Sequence, residues 1–187
     1  KILTIAQSKL WMEEPHNCTD ANDVLTIFTS LFDPLAAYDP EMRYVPALAE
    51  SWIVSQGARR WTFKLRPDVK FHNGQSVDAE AVVFSLNRMA RPDMGVTLGA
   101  PGVYNQYLAG MELEILDRQT VRLTLSEPMA DLLDILVTGY ILPPETVERL
   151  GDGFKATPIG SGPFEFVEHE NRVRIRAEKN PHYFQAL

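Results

Sequence analysis

At 187 residues, 45% hydrophobic and 10% aromatic, the chain is long enough for one good core or for two small subdomains sharing one, and its composition argues against disorder. A net charge of −7 gives no electrostatic reason to expect nucleic acid or an anionic membrane as partner, and no apolar run approaches the ~20 residues of a membrane span. Cys18 is the single cysteine, so no internal disulfide is available. Lys1-Ile2-Leu3 runs directly into an apolar stretch over 2–6 that predicts a buried strand and is expected to hold no signal peptide. A polar stretch over 7–20 follows, and Thr19 or Asp20 is placed to cap a helix carrying Val24, Leu25, Ile27, Phe28, Leu31 and Phe32. Pro34 stops that helix, and the irregular 35–46 segment, with two prolines, marks a first boundary between subdomains.

The next stretch has a legible pattern. Trp61, Phe63 and Leu65 alternate with Thr62, Lys64 and Arg66, the period of a half-buried strand. Asn73-Gly74 is a turn pair because both residues tolerate positive φ. Asp78 sits where an N-cap belongs, ahead of a helical stripe of Val82, Val83, Leu86 and Met89. Residues 91–102, with three glycines and two prolines, read as loop, and 104–110 as a short helix bearing Tyr104, Tyr107 and Leu108. Two alternating runs, 112–116 and 121–125, predict a β-hairpin in which Glu112 and Glu114 are candidates to face Arg122. Pro128 fits the first turn of a helix through Leu132, Leu133, Ile135 and Leu136, and Pro143-Pro144 precedes a last short helix closed by Gly151. Phe164, Phe166, Val173 and Ile175 predict a second hairpin about Asn171, introduced by Ile159-Gly-Ser-Gly-Pro163.

Catalytic chemistry finds little support. Gly160-Ser-Gly162 is glycine-rich, but strand pattern follows it, whereas a phosphate loop opens a helix whose N-terminus points at the anion. A structural turn is the better reading. His16, His72, His169 and His182 lack metal-ligand spacing, and His72, in a strand-turn motif, suits a hydrogen bond to backbone. Glu13-Glu14 and Asp131/Asp134 are paired carboxylates of the kind acid–base chemistry needs, yet an exposed loop and the solvated face of an amphipathic helix account for them. No Gly-x-Ser-x-Gly elbow exists, and Cys18 has no assignable base. The 7–22 segment differs, because it passes from a strand end into a helix, where α/β folds tend to place ligands.

The ordered series Ala47-Leu-Ala-Glu-Ser-Trp52, Thr62-Phe-Lys-Leu-Arg66 and Val69-Lys-Phe-His-Asn-Gly74 leading into Asp78-Ala-Glu80 resembles the signature of the family 5 extracellular solute-binding proteins, the receptors of peptide and nickel ABC importers. The resemblance extends to Gly160-Ser-Gly-Pro163, where the family commonly has Gly-Thr-Gly-Pro, and to Asn180-Pro-His-Tyr-Phe184, where it commonly has Asn-Pro-x-Tyr-Trp. Asp33-Pro34-Leu35 stands where Glu-Gly-Leu is frequent, a mild departure. It thus spans nearly the whole chain.

The resemblance implies an α/β (α+β mixed) fold, a periplasmic binding protein-like type II lobe fragment with an inserted α+β subdomain. Residues 1–45 would begin the ligand lobe, 46–158 form the insertion, and 159–187 return into the lobe. Family members are longer, with a second lobe that closes on the ligand, so the sequence resembles their N-terminal part, a targeting segment having been removed. Glu13-Glu-Pro-His16 matches the family's Leu-Asp-Pro-His, and the ligand contacts that follow it carry over to Cys18, Thr19, Ala21 and Asp23. The residues alone favour Cys18 as a small buried side chain over a contact. An aromatic contact carries over to Tyr104 or Val103, and Tyr140 is a candidate to stack or donate. Nickel-type members carry a basic residue where this chain has Leu136-Val-Thr-Gly-Tyr140, which favours peptides or other organic solutes over a nickel chelate. The implied protein is a monomeric, periplasmic or extracellular receptor, with lipid anchoring through a further segment an open alternative. It delivers its solute to an ABC permease, without cofactor, metal or nucleic acid. A sensory module of a regulator is the competing reading, and a hydrolase is disfavoured by the lack of a nucleophile–base set.

Overall fold

A computed structural model describes residues 3–7, 10–19, 21–96 and 100–185. In chain order these form α1 (Asn22–Leu31), β1 (Ala36–Tyr38), β2 (Tyr44–Pro46), β3 (Ala49–Ser55), β4 (Arg60–Leu65), α2 (Ala79–Met89), α3 (Asn105–Leu108), β5 (Glu112–Asp117), β6 (Thr120–Thr124), α4 (Leu132–Leu136), α5 (Pro144–Leu150), a 3-10 turn (Gly151–Ala156), β7 (Phe164–Glu170) and β8 (Arg174–Lys179).

The alternation in β4 organises the larger sheet, an antiparallel one ordered β3-β4-β6-β5. Trp61, Phe63 and Leu65 are buried, and the register sets Trp61 opposite Leu123 and Phe63 opposite Val121, so four apolar side chains share one face. Val82, Leu86 and Met89 of α2 join the same core, as the helical stripe requires. The polar positions meet on the other face, where Arg122 pairs with Glu114 at 2.8 Å and Lys64 with Glu50 at 2.9 Å. Glu112 lies opposite Thr124 rather than beside Arg122. Asp78 caps α2 as expected, its Oδ1 accepting from Ala81 N at 3.2 Å.

A second core gathers Val24, Phe28, Leu31 and Phe32 of the α1 region with Tyr140, Leu142, Val147 and Phe154. Phe28 meets Tyr140 edge to face, with centroids 5.8 Å apart. The Gly160-Ser-Gly162 turn closes this core against the end of α1, where Gly162 N donates to Leu31 O at 3.0 Å. It leads into β7, not a helix, as a structural turn does.

Several elements differ from the pattern-based expectation. Residues 3–7 form no strand, and Leu3 and Ile5 are exposed; Ile2 lies outside the described residues. An apolar run becomes a strand only where a neighbour supplies ladder partners, and β7 and β8 pair with each other alone among the described strands. The N-cap of α1 is Ala21 with no side-chain cap; Thr19 Oγ1 donates instead to Val96 O at 2.8 Å, and Asp20 lies outside the described residues. Pro128 precedes α4 by several residues, and Asp131 is the N-cap. The 35–46 segment, read as irregular, folds into the β1–β2 hairpin.

Candidate functional site

Glu14 fixes the loop that precedes α1. Its carbonyl accepts from Asn17 N (3.0 Å) and Cys18 N (3.1 Å), its Oε2 accepts from His16 N (3.0 Å), and its Oε1 receives Arg88 Nη1 of α2 at 2.7 Å. Burial raises the Glu14 pKa, an effect that Arg88 opposes. His16 Nε2 donates to Tyr140 O at 2.7 Å, and full burial lowers its pKa to about 3, so the ring is neutral. Gly95 N donates to His16 O and Val96 N to Asn17 O, so the 95–96 backbone runs beside Cys18 as a short parallel bridge.

Tyr104 is positioned from the same strip. Gly95 has φ +67°, and a Cβ there would stand 2.8 Å from the Tyr104 ring, so glycine meets both the backbone and the space requirement. The Tyr104 hydroxyl lies 3.3 Å from Thr138 Oγ1, which itself donates to Ile135 O at 3.2 Å; the phenol is therefore the donor. Burial raises the Tyr104 pKa, keeping the phenol protonated.

Together these elements line a recess of about 190 Å³, walled by Thr19, Val103, Tyr104, Tyr107, Asp134, Ile135 and Thr138. Of the residues expected at a ligand site, Thr19 and Tyr104 line it, as does Val103, the alternative to Tyr104. Cys18 is buried beside Val96, off the recess wall. Ala21 and Asp23 stand at the start of α1, with Asp23 O accepting from Gln7 Nε2 at 3.3 Å. Tyr140 packs in the second core between Phe28 and Phe32. Tyr107, Asp134, Ile135 and Thr138 were not anticipated. Thr138 lies inside a stretch already singled out for its lack of a basic residue, whereas Asp134 carried only the signal of a solvated helix face.

Asp134 is not solitary. The hydroxyls of Tyr38 (β1) and Tyr44 (β2) both donate to its Oδ1, and the two rings stack with centroids 5.1 Å apart. The hydrogen bonds, Tyr38's first, hold the Asp134 carboxyl below the usual carboxylate range. Among the described residues no three His, Cys, Asp or Glu side chains lie close enough to hold a metal ion. The recess thus offers hydroxyl groups, two aromatic side chains and one carboxylate, a set suited to hydrogen bonding, stacking and charge recognition.

Residues 43–186 match the family model for bacterial extracellular solute-binding proteins, family 5. The chain is 30% identical over 171 residues to the glutathione-binding protein GsiB of Pectobacterium atrosepticum, covering 89% of this chain and 32% of that one. It is 35% identical over 176 residues to the di/tripeptide-binding protein 2 of Pseudomonas aeruginosa, covering 83% and 33%. Among solved structures, MoaA from A. tumefaciens R10 in complex with mannopinic acid is 30% identical and superposes with a TM-score of 0.81 over 96% of this chain and 36% of that one. The chain spans about a third of the length of the curated relatives it matches. The fold is that of part of a periplasmic binding protein, and the chain belongs to the family 5 bacterial extracellular solute-binding proteins.

Proposed function

We propose that this chain supplies one wall of the solute cleft in the extracytoplasmic receptor of an ABC importer, and that the solute is a di- or oligopeptide or a similar small organic molecule. One observation carries the reading: Thr19 and Tyr104, to which family ligand contacts carry over, come together in one recess although they are far apart in sequence. Two of the reported relatives are named for binding glutathione and di- or tripeptides, which supports a peptide-sized solute. Segments 1–45 and 159–187 are the lobe part in this reading and 46–158 the inserted subdomain. Capture proceeds by closure of a second lobe on the recess, a population shift driven by contacts made only in the closed state. No bond is made or broken. The receptor acts as a monomer in the periplasm or outside the cell, and no described helix is long and apolar enough to cross a membrane.

Native mass spectrometry of the protein purified under non-denaturing conditions tests this. A non-covalent small-molecule adduct lost in Tyr104→Ala is the expected result. Absence of any adduct, or turnover of added peptides, contradicts it.

A further inference from the structure

Among the described residues, one charged side chain lines the recess, and it is negative. Among the described residues, the seven that line it include no Lys, Arg or His. Arg88 of α2, which braces the loop before α1, is spent on Glu14 at 2.7 Å, with both side chains 13% exposed. An anionic solute entering here meets no compensating charge, and a cationic one meets Asp134.

The carboxylate is also held in a set orientation. Tyr38 and Tyr44 come from a separate hairpin, β1–β2, and both phenols converge on Oδ1, which leaves Oδ2 to an incoming donor. Stacking of the two rings fixes the donors before any ligand arrives, so little ordering remains to be done on binding. Tyr104 and Tyr107 line the same recess, and aromatic faces attract cations through their quadrupole. A backbone carbonyl or a water would serve a neutral ligand equally well. A carboxylate buttressed by two phenols is a stronger device than neutral recognition needs, because hydrogen bonds with an ionised partner are about twice as strong as neutral ones.

We infer that Asp134, oriented by Tyr38 and Tyr44, is a specificity-determining residue that selects solutes bearing a cationic nitrogen, a primary ammonium or amidinium, over solutes presenting only carboxylates at this wall. The inference rests on the reading of the recess as a solute wall and adds to it the charge of the group received there. Tyr38 and Tyr44 are positioning residues, acting through Asp134.

The test is an amide chemical-shift titration of the 187-residue chain with three matched peptides: trialanine amide (cationic), N-acetyl-trialanine amide (neutral) and N-acetyl-trialanine (anionic). The expected order of affinity is cationic, then neutral, then anionic, with the largest shifts at Thr19, Tyr104, Asp134 and Thr138. Asp134→Asn reduces the affinity for the cationic peptide by up to about fivefold, the range of a solvent-accessible ion pair, and erases the order. Tyr38→Phe with Tyr44→Phe weakens the preference without reversing it. Shifts at the recess with no charge order, or an order that survives Asp134→Asn, overturn the selection while leaving the solute wall standing. No recess shifts with any of the three peptides overturn both the selection and a peptide as the solute of this wall.

Discussion

His72 Nε2 donates to the carbonyl of Gly162, 90 residues later in the chain, at 3.0 Å. The same ring accepts from Gly160 N through Nδ1 at 3.2 Å, and His72 N donates to Gly160 O at 2.8 Å. One imidazole therefore holds both glycines of the turn, and burial lowers its pKa, which favours the neutral ring that can accept and donate at once. Asn180 Nδ2 donates to the same Gly162 oxygen at 3.0 Å. Three of the sequence stretches that carried the family resemblance, 69–74, 160–163 and 180–184, thus meet at one structural knot.

Both glycines press on the end of α1. A Cβ at Gly160 would stand 1.9 Å from Leu31 O, and one at Gly162 would stand 2.5 Å from Leu31 C, contacts that backbone cannot yield to cheaply. Gly160→Ala is expected to destabilise by more than ~4 kcal/mol or to prevent folding. Thermal denaturation followed by circular dichroism measures it. A midpoint within a degree or two of wild type would show that the turn relaxes freely.

Phe63 is fully buried in the larger sheet, between α2 and its cross-strand partner Val121. Phe63→Ala is expected to cost about 3–5 kcal/mol, the range for emptying a buried aromatic site. Urea denaturation reads this as a lower midpoint at nearly constant slope.

Glu14 and Arg88 form a pair in which both side chains are 13% exposed, and the carboxylate also anchors His16 N. Removing one partner strands the other, so Arg88→Met is expected to destabilise by about 3 kcal/mol. Adding Glu14→Gln to that variant restores much of the loss, since a neutral amide is far cheaper to bury than an unpaired carboxylate. A double-mutant cycle on denaturant midpoints checks the recovery, and strictly additive losses would contradict the coupling.

Periodicity made the α2–β4 unit readable. Trp61, Phe63 and Leu65 signal a strand by alternation, Val82, Leu86 and Met89 signal a helix by spacing, and Asp78 announces its start. Elements whose existence depends on distant partners were not legible. Residues 3–7 have a strand's composition and no described partner, whereas Tyr38 and Tyr44, in a segment that looks irregular, pair across a short hairpin and converge on Asp134. The site followed the same rule. Thr19 and Tyr104, expected through family resemblance, line the recess, but nothing local to Asp134 distinguishes it from Asp131, because what sets it apart arrives from residues some ninety positions earlier.

Asp33 links the second core to the chain's last turn, accepting from Ser161 Oγ and Tyr183 OH at 2.9 Å each. Burial raises its pKa from 3.8 to about 6, although both hydrogen bonds favour the ionised form. An acid whose pKa is higher in the folded state binds its proton more tightly there. Its contribution to stability is therefore fully present below about pH 4 and lost as pH rises through about 6. Asp33→Asn, which carries no such proton, should gain on wild type by roughly 3 kcal/mol between pH 3 and 7, at about 1.4 kcal/mol per pH unit of pKa shift. Denaturant midpoints of both proteins across that range test it. A constant gap between them would mean that Asp33 does not titrate there.

The most direct test of a one-walled cleft compares solute affinity in the 187-residue chain and in the complete protein. A pocket normally covers ~70–90% of a small ligand's surface, and losing even ~100 Å² of apolar contact costs ~2.5 kcal/mol at about 25 cal/mol per Å². Isothermal titration of both with the solute that co-purifies should find the 187-residue chain weaker by at least ~tenfold. Equal affinities would place the whole site within these 187 residues and contradict capture by lobe closure.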